Sequence, residues 1–437
     1  MYPELSEAER FPLLSQRGRK LLHQMRQHPN APVWNWPNGE QLNQVGLDRV
    51  RSFDQQLRTA NWSCGRGEPD WLEQYKEYCL STVPYYRSRS RPGTSFAELP
   101  TCSRADLAPR AWQFVPDDQP VDELIVFSSS GTTGHPTRTP HHPYSAACGV
   151  PLLEKALRDL HGIEFPRGTN QVALTNIAAY PGAFTTAIVV SPLEEAGCIR
   201  VNLDESAWRN VNDRSLYINA WKAPIWLGDP IAFGAMERLE LDHQPQAIIS
   251  SIMHLNESYA KQLCERFRCP VLDVIAMTEA GIIAVNDGQY GYRILPHDLF
   301  VEILDSIGNR CAEGQPGEIT LTGGRNPFLP LLRYRTSDFA SLRIVNGQRY
   351  LVDFCGRASV DYLSETGRTV HSMEVVRLMR AYPVRRYELK AVDEGYQLWL
   401  EGCFDPLPIV AGLRQMLGNR IVEVFVDQNR LETSSGA

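Results

Sequence analysis

The chain has 437 residues, of which 43% are hydrophobic and 22% are charged. These proportions are ordinary for globular proteins, and the length is too great for one compact core, so two or three folded units are expected. The formal net charge of −7 argues against a nucleic-acid-binding protein, because there is no excess of Lys and Arg to neutralise phosphates.

The composition also bears on the cellular compartment. No apolar run approaches the ~18 residues of a membrane helix, and the first part of the chain contains acidic residues, so neither a membrane span nor a secretory signal is expected. The ten cysteines are scattered without a C-x-x-C pair, which is typical of reduced thiols in a cytoplasmic protein. The adjacent His141 and His142 lack the spacing of a zinc site, and a surface loop is expected there.

The amino-terminal part, residues 1 to about 120, is predicted to be mainly helical. In the segment WLEQYKEYCLSTV, apolar side chains from Trp71 to Leu80 recur at roughly helical spacing. Pro84 and the SRSRPGTS segment are predicted to end this helix.

From about residue 121 to 345, short apolar or β-branched runs alternate with helical stretches. The predicted strands include ELIVFS, NQVALTNI, AIISSI and PVLDVIA, and this alternation predicts a parallel, doubly wound α/β core. From Leu299 onward, strands joined by Gly- and Asn-containing turns predict a smaller β-rich subdomain. After DFCGR the order β, α, β, β, α, β predicts a small α+β domain, with Gly356 and Arg357 as its hinge.

The segment FSSSGTTGHPT, residues 127–137, follows the first of these strands. Glycines let backbone amides converge on phosphate oxygens, and the hydroxyls can donate further hydrogen bonds. The segment lacks the Gly-Lys-Ser/Thr ending of a Walker A loop. By itself the pattern leaves two interpretations open, a phosphate-binding loop and an ordinary flexible loop.

Three further motifs follow in order: AMTEAG at 276–281, LPLLRYRTSDFA at 329–340 and GRASVDYLSETGRTV at 356–370. The series resembles the adenylate-forming superfamily, most closely its phenylacetate–coenzyme A ligase-like branch. The resemblance covers about residues 70–437. It implies a large N-terminal AMP-binding domain at residues 1–355 and a small, mobile C-terminal domain at residues 356–437 that swings about the hinge.

The resemblance implies activation of a carboxylic acid, expected to be aromatic, as an acyl-AMP with ATP and Mg²⁺. The acyl group would then pass to coenzyme A. A carrier-protein thiol or an amine is the alternative acceptor, and a degenerate protein that binds a nucleotide or acyl-AMP without full adenylation activity is a further alternative. A homodimer is left open.

The resemblance also implies roles for individual residues. Thr278 would contact the α-phosphate region, and Glu279 would bind Mg²⁺, which prefers hard oxygen ligands. Asp338 would accept hydrogen bonds from both ribose hydroxyls, and Arg357 would reach the ribose or the phosphates. The predicted catalytic residues are Thr132, Thr278, Glu279 and Arg357. The predicted nucleotide-binding residues are Ser129, Ser130, Gly131, Thr132, Thr133, Gly134, Ile275, Thr278, Asp338 and Arg357.

The acid would lie beside the phosphate loop in a mostly apolar pocket. By resemblance its walls come from TNIAAYPGAFTTA, and Tyr180, Phe184 and Ala276 are the predicted substrate-binding residues. The adenine wall departs from the branch, which usually has an aromatic residue near the Thr-Glu pair, where this chain has Ile275 and Ala276. Residues 251–253 read Ser-Ile-Met where the branch has Gly-Ala-Glu.

The carboxyl-terminal sequence RLETSSGA is a third departure, because the superfamily carries a lysine in a Ser/Glu-Gly-Lys context that this chain does not show before Ala437. A missing cation at a site of developing charge would cost several kcal/mol of transition-state stabilisation. Either the sequence is cut or altered at this point, which we favour, or the protein lacks the lysine. In the second case it would adenylate slowly or would use a preformed acyl adenylate or thioester.

Overall fold

The computed structural model describes residues 5–62, 65, 67–91, 93–129, 137–296, 298–357, 361–402 and 404–427. The amino-terminal part is mainly helical, as predicted. Its helices are α1 Glu7–Arg10, α2 Gln16–Arg26, α3 Gln44–Thr59, α4 Leu72–Thr82, α5 Pro84–Arg87 and α6 Arg104–Arg110. Helix α4 ends at Thr82 because Val83 precedes a proline and is extended, with φ −94° and ψ 114°.

The later helices are α7 Pro143–Ala147, α8 Gly149–His161, α9 Asp213–Trp221, α10 Pro230–Met236, α11 Glu257–Phe267, α12 Ser372–Arg380 and α13 Leu407–Leu417. The parallel part of the large sheet contains β4 Val172–Ala178, β6 Ala196–Asn202, β7 Ile225–Gly228, β8 Ala247–Ser250 and β9 Val271–Met277. These strands lie side by side in the order β9, β8, β7, β4, β6, and the antiparallel β5 Thr186–Val190 forms the edge.

Helices cover both faces of this sheet. On one face the core includes Met25, Tyr217 and Phe233 from α2, α9 and α10. On the other it includes Phe53 and Leu157 from α3 and α8. The predicted doubly wound α/β fold is therefore confirmed.

The predicted β-rich part is also present, but it continues the same sheet. Its strands are β10 Gly281–Asn286, β11 Tyr292–Ile294, β12 Leu299–Leu304, β13 Pro316–Gly323, β14 Leu331–Val345 and β15 Gln348–Arg357. The sheet runs β12, β13, β14, β15, β11, β10, β9, so antiparallel strands extend it beyond β9. The short β1 Cys102–Ser103 pairs parallel to β14.

The strand before the Ser- and Gly-rich loop is not part of the parallel core, which corrects the expectation from the sequence. Strand β2 Ile125–Ser129 pairs antiparallel with β3 Thr137–His141 in a two-stranded hairpin. The connection between them is too short for the crossover that parallel pairing needs. His141 and His142 are also buried, 6% and 7% exposed, so the expectation of a surface loop there is wrong.

The carboxyl-terminal domain has its own core, built around Val375, Leu398 and Leu413. Its strands are β16 Asp361–Leu363, β17 Thr369–His371, β18 Arg386–Val392, β19 Gly395–Glu401 and β20 Ile421–Asp427. With α12 and α13 they confirm the predicted α+β order, to which the structure adds β17. Strand β15 ends at Arg357, and the domain boundary at 355/356 stays a prediction.

Two further observations bear on expectations from composition. The cysteines in the described ranges, such as Cys79 and Cys269, are free thiols. None of the helices in those same ranges combines the length and apolarity required to cross a bilayer.

Candidate active site

The predicted residues Tyr180, Thr278 and Glu279 lie at the carboxyl ends of strands of the large sheet. Tyr180 follows β4, and Thr278 and Glu279 follow β9, while Asp229 follows β7 and Ser251 follows β8. These strands are parallel neighbours, so their carboxyl ends open on the same side. In open α/β sheets, ligands bind in the crevice outside these ends.

Glu279 is held by a tyrosine from the antiparallel half of the sheet. The Tyr334 hydroxyl donates a hydrogen bond to Glu279 Oε1 over 3.1 Å. Both residues are buried, with exposed fractions of 6% for Glu279 and 1% for Tyr334. Burial, and then the charge of Glu279, raise the pKa of Tyr334, so its proton remains in place as the donor.

The carboxyl-terminal end of the predicted phosphate loop lies at the same junction. Strand β1 pairs with β14 at Tyr334, and Arg104 follows β1 directly. The Arg104 Nε donates to Thr137 Oγ1 over 2.8 Å, and Thr137 is the first residue after the loop. Arg104 also acts electrostatically on Tyr334. The loop therefore returns to the fold beside the Glu279–Tyr334 pair.

Residues 130–136 lie outside the described ranges, and these include Ser130, Gly131, Thr132, Thr133 and Gly134. For Ser129 the structure describes the backbone at the end of β2, paired with Thr137. The predicted contacts of the loop with phosphates stay predictions.

The other end of the hairpin touches the Thr278 turn. Burial lowers the pKa of His141 to about 4, and the backbone of Thr278 lies close enough to oppose this shift. The Asn326 Nδ2 donates to the Pro140 carbonyl over 2.7 Å. A neutral His141 is compatible with its burial, because a charged imidazolium would be poorly solvated there.

Asp338 is positioned by a bulge in β14. Thr320 of β13 pairs with Arg335 and Glu318 pairs with Phe339, so β14 advances four residues where β13 advances two. Glu318 accepts hydrogen bonds from Arg335 Nε over 2.6 Å and from the Ser337 amide over 2.8 Å. Bulges of this kind re-aim side chains next to active sites. Here the bulge spans Thr336, Ser337 and Asp338.

Asp338 and Arg357 are directly opposite each other on β14 and β15. Directly paired residues in an antiparallel ladder have Cα atoms about 4.5–5.5 Å apart. The structure therefore brings the backbones of these two predicted residues together, at the last position of the large sheet before the carboxyl-terminal domain. The predicted contact of each with a nucleotide is not tested by this placement.

The two residues predicted at the adenine wall differ in exposure. Ala276 is exposed, but Ile275 is 7% exposed and lies in a hydrophobic core with Ile283 and Tyr334. A purine could not contact Ile275 without opening that core, so this placement does not support the predicted contact.

A cavity of about 440 Å³ lies next to residues 251–253, between α11, β9 and the carboxyl-terminal domain. This volume is within the range of about 300–1,000 Å³ that is usual for small-molecule sites. The cavity is lined by His254, Asp273, Tyr290, Tyr292, Phe354 and Arg380, among others.

Asp273 is the central polar group of this cavity. Its carboxylate accepts hydrogen bonds from the Tyr292 hydroxyl and, over 3.4 Å, from the Leu255 amide. Burial raises the pKa of Asp273 to about 7, against the opposing effect of these hydrogen bonds. His254 Nδ1 lies 3.1 Å from the Tyr292 hydroxyl. The motifs gave no role to these residues, although Asp273 stands five positions before Thr278.

Two of the residues predicted to bind the acid lie in the β4–β5 loop. Tyr180 and Phe184 both belong to this loop, which turns at Gly182 with φ 79°. Both contact one cation: the Arg200 guanidinium carbon is 3.8 Å from the Phe184 ring centre, and Tyr180 interacts with Arg200 through its hydroxyl. The motifs did not point to Arg200.

Comparison with solved structures shows the same fold in an acyl-CoA ligase. One structure of 2-hydroxyisobutyryl-CoA ligase, in the postadenylation state with R3-HIB-AMP, matches with a TM-score of 0.61 and 14% identity over 84% of this chain and 86% of that chain. Another, in the thioesterification state with 2-HIB-AMP and CoA, matches with a TM-score of 0.52 and 15% identity over 89% of both chains. No protein-family model matches the chain. The predicted fold, that of adenylate-forming enzymes, is confirmed.

Ile252 provides a test of backbone strain in the turn after β8. Its φ is 76°, a conformation that is strained for a β-branched residue, and its side chain is 76% exposed. Strain of this kind costs about 1–3 kcal/mol, and a glycine loses only about 0.5–1 kcal/mol more backbone entropy on folding.

We therefore expect Ile252→Gly to raise the melting temperature or leave it unchanged, measured by calorimetry. The control is Ile307→Gly, which removes another exposed isoleucine, 82% exposed, that is not among the positive-φ residues. Destabilisation by Ile252→Gly equal to that of the control would show that position 252 is not strained.

Proposed function

We propose that this protein activates a carboxylic acid as an acyl-AMP, using ATP and Mg²⁺, and then transfers the acyl group to coenzyme A. The observation that carries the proposal is the Glu279–Tyr334 hydrogen bond. It joins the Thr278–Glu279 turn to the strand that bears Asp338. Arg104, next to the strand that pairs with Tyr334, donates to Thr137 at the base of the predicted phosphate loop.

The chemistry explains why these groups belong together. Adenylation brings a carboxylate against the α-phosphate of ATP, so the site has to stabilise crowded negative charge. The amides and hydroxyls of residues 129–134 would bind the phosphates, and the Arg104 cation beside Thr137 would add a favourable field. Asp338 would fix the ribose, and Arg357 across the ladder would reach ribose or phosphate.

Glu279 offers the carboxylate oxygens that a magnesium ion prefers as ligands. It is a carboxylate with one oxygen bound to the Tyr334 hydroxyl. No group of three or more His, Cys, Asp or Glu suited to a metal occurs in the described ranges. A Mg²⁺ ion here would therefore take its other ligands from phosphates and water, as is usual for this ion. When bound it would neutralise phosphate charge.

The cavity beside residues 251–253 would receive the purine. It borders the turn after β8, and its Asp273 carboxylate could accept a hydrogen bond from an exocyclic amine. This position also places the base on the side of Phe354, close to the end of β15 and the ribose group proposed at Asp338.

The second part of the proposal is that coenzyme A accepts the acyl group. The structural neighbour in the thioesterification state contains CoA. A carrier-protein thiol or an amine would need the same acyl-AMP, so the fold does not separate them. A protein that only binds the nucleotide is the second class of function.

One experiment separates these classes. Pyrophosphate exchange is measured with a panel of aryl and alkyl acids, and any acyl-AMP is identified by mass spectrometry. Exchange followed by thioester formation on adding CoA supports the proposal. Exchange without thioester formation points to another acceptor. A nucleotide-dependent rise in melting temperature without any exchange supports the binding-only function.

For the ribose site, we expect Asp338→Ala to weaken ATP binding by at least about 10-fold, because even one hydrogen bond to a charged group contributes about 1.5–3 kcal/mol. Isothermal titration calorimetry provides the affinity. The exposed turn residue Asp393, changed to Ala, is the control for loss of one negative charge. Equal ATP affinity in both variants would remove Asp338 from the ribose site.

For the metal site, we expect Glu279→Gln to reduce Mg²⁺-dependent acyl-AMP formation by roughly 10²-fold, the usual effect of losing one charge-stabilising group. The amide oxygen can still accept the Tyr334 hydrogen bond, so the melting temperature should change little. Glu265→Gln on the exposed side of α11 is the matched control. Normal Mg²⁺-dependent turnover in Glu279→Gln would refute the metal role.

A further inference from the structure

Arg200 is a cation inside the sheet, beneath the loop that carries Tyr180 and Phe184. It lies in the middle of β6, directly paired with Asn176 of β4 on one side and Thr186 of β5 on the other. Residues directly opposite in a sheet share a face, so these three side chains form one polar row.

The rest of this face is apolar. Two residues before Arg200 on the same face is Cys198, which packs against the core with Leu174 and Ile188. The polar row thus begins where the apolar core ends, toward the carboxyl ends of the strands. A polar row of this kind in a sheet interior has to be satisfied by hydrogen bonds.

Among the described residues, Arg200 forms no salt bridge. No carboxylate lies within 4.0 Å of its guanidinium in the described ranges, and its buried Nε has no hydrogen-bond partner there. Tyr180 and the more distant Asp229 favour the charged form, but burial lowers the pKa of Arg200 overall. A guanidinium nevertheless stays charged at neutral pH.

Thr186, next to Arg200 in the row, also has a buried polar atom without a hydrogen-bond partner among the described residues. It is 5% exposed, and its Oγ1 has no hydrogen-bond partner in the described part of the chain. A buried donor left unpaired is destabilising. The Arg200 Nε and the Thr186 hydroxyl, both without a partner among the described residues, are suited to a ligand that brings accepting oxygens.

A segment from outside the motif resemblance lies beside this row, next to Thr186. The Asn35 amide donates to Thr185 Oγ1 over 3.2 Å, and the Thr185 amide donates to Asn35 Oδ1 over 2.8 Å. This pairing places the Trp36 ring 5.9 Å from the Phe184 ring. Trp36 and Phe184 are 55% and 37% exposed, so they form an aromatic entrance above Arg200.

We propose that the acid activated by this protein carries a second anionic group, which binds Arg200 and Thr186 beneath Phe184. This proposal rests on the function proposed above, in which the reacting carboxylate meets the α-phosphate, the group that Thr278 is predicted to contact. The substrate class is thus an elongated acid with negative charge at both ends, whose middle passes the Tyr180 and Phe184 rings.

The sheet sets the minimum length of such an acid. Strand β6 is four strands from β9, and strands are about 4.8 Å apart, so the two backbones are separated by roughly 19 Å. Side chains reach inward from both ends, but an acid of two or three carbons could not touch both groups. An arylacetic acid with a para carboxylate, or a diacid of about eight carbons, is of suitable length.

The test compares acids that differ only in the second charge. Phenylacetate is compared with 4-carboxyphenylacetate, and octanoate with octanedioate, by the kcat/KM for pyrophosphate exchange. We expect the wild type to prefer the dianion of at least one pair by at least about tenfold, since sites built for a polar group reject analogues that lack it. Arg200→Met should remove or reverse this preference. Thr186→Val should reduce it severalfold.

Controls separate the site from the fold. Arg51→Met, an exposed arginine on α3, should keep the wild-type preference, and melting temperatures show whether each variant is folded. Suppose that both proteins exchange pyrophosphate with monoacids at the same rate and that neither prefers the dianions. This result would overturn the inference and leave the proposed function intact.

If no acid supports pyrophosphate exchange, the proposed function fails. The second anionic site is then tested by a direct binding measurement. Calorimetric titration with octanedioate should then show binding to the wild type that is at least tenfold weaker in folded Arg200→Met. No measurable binding to the wild type, or equal binding to both proteins, would refute the second anionic site.

Discussion

The hydrogen bond between Tyr334 and Glu279 is the contact on which the arrangement of the site depends. Glu279 follows a strand of the parallel half of the sheet, and Tyr334 belongs to a long strand of the antiparallel half. A buried carboxylate is costly unless it is hydrogen-bonded, so the tyrosine stabilises Glu279 in a position it would otherwise avoid. The same strand carries Asp338 beyond a bulge and is flanked by the strand leading to Arg104. One buried contact thus sets the positions of three groups that are far apart in sequence.

Much of the fold could be predicted from the sequence, because it depends on local patterns. The alternation of apolar runs and helical stretches predicted the doubly wound sheet, and the ordered motifs predicted the adenylate-forming fold. The pairing of strands could not be predicted in the same way. Strand β2 has an apolar composition suited to a parallel core, yet it pairs with β3 because the short loop returns the chain at once. The continuity of the β-rich part with the parallel strands is likewise a tertiary property.

The same holds for the site residues: the sequence identifies those in motifs but not the contacts they make. The motif R-Y-R-T contains Tyr334, but the sequence does not show that its hydroxyl reaches Glu279. The burial of Ile275 depends on a core assembled from Ile283 and Tyr334, which no local pattern specifies. Arg200 stands in no motif, and a single arginine in a strand is indistinguishable from a surface residue until the register places it between Asn176 and Thr186. In each case the missing information is which residues face each other across the sheet.

The most direct test of the account is a crystal structure of the protein with Mg²⁺ and an ATP analogue that cannot be cleaved between the α- and β-phosphates. The account predicts phosphates against residues 129–134, the metal at Glu279 and the ribose hydroxyls at Asp338, all in the crevice outside the carboxyl ends of the parallel strands. A nucleotide bound elsewhere, or one that contacts neither Glu279 nor Asp338 in this crevice, would contradict it.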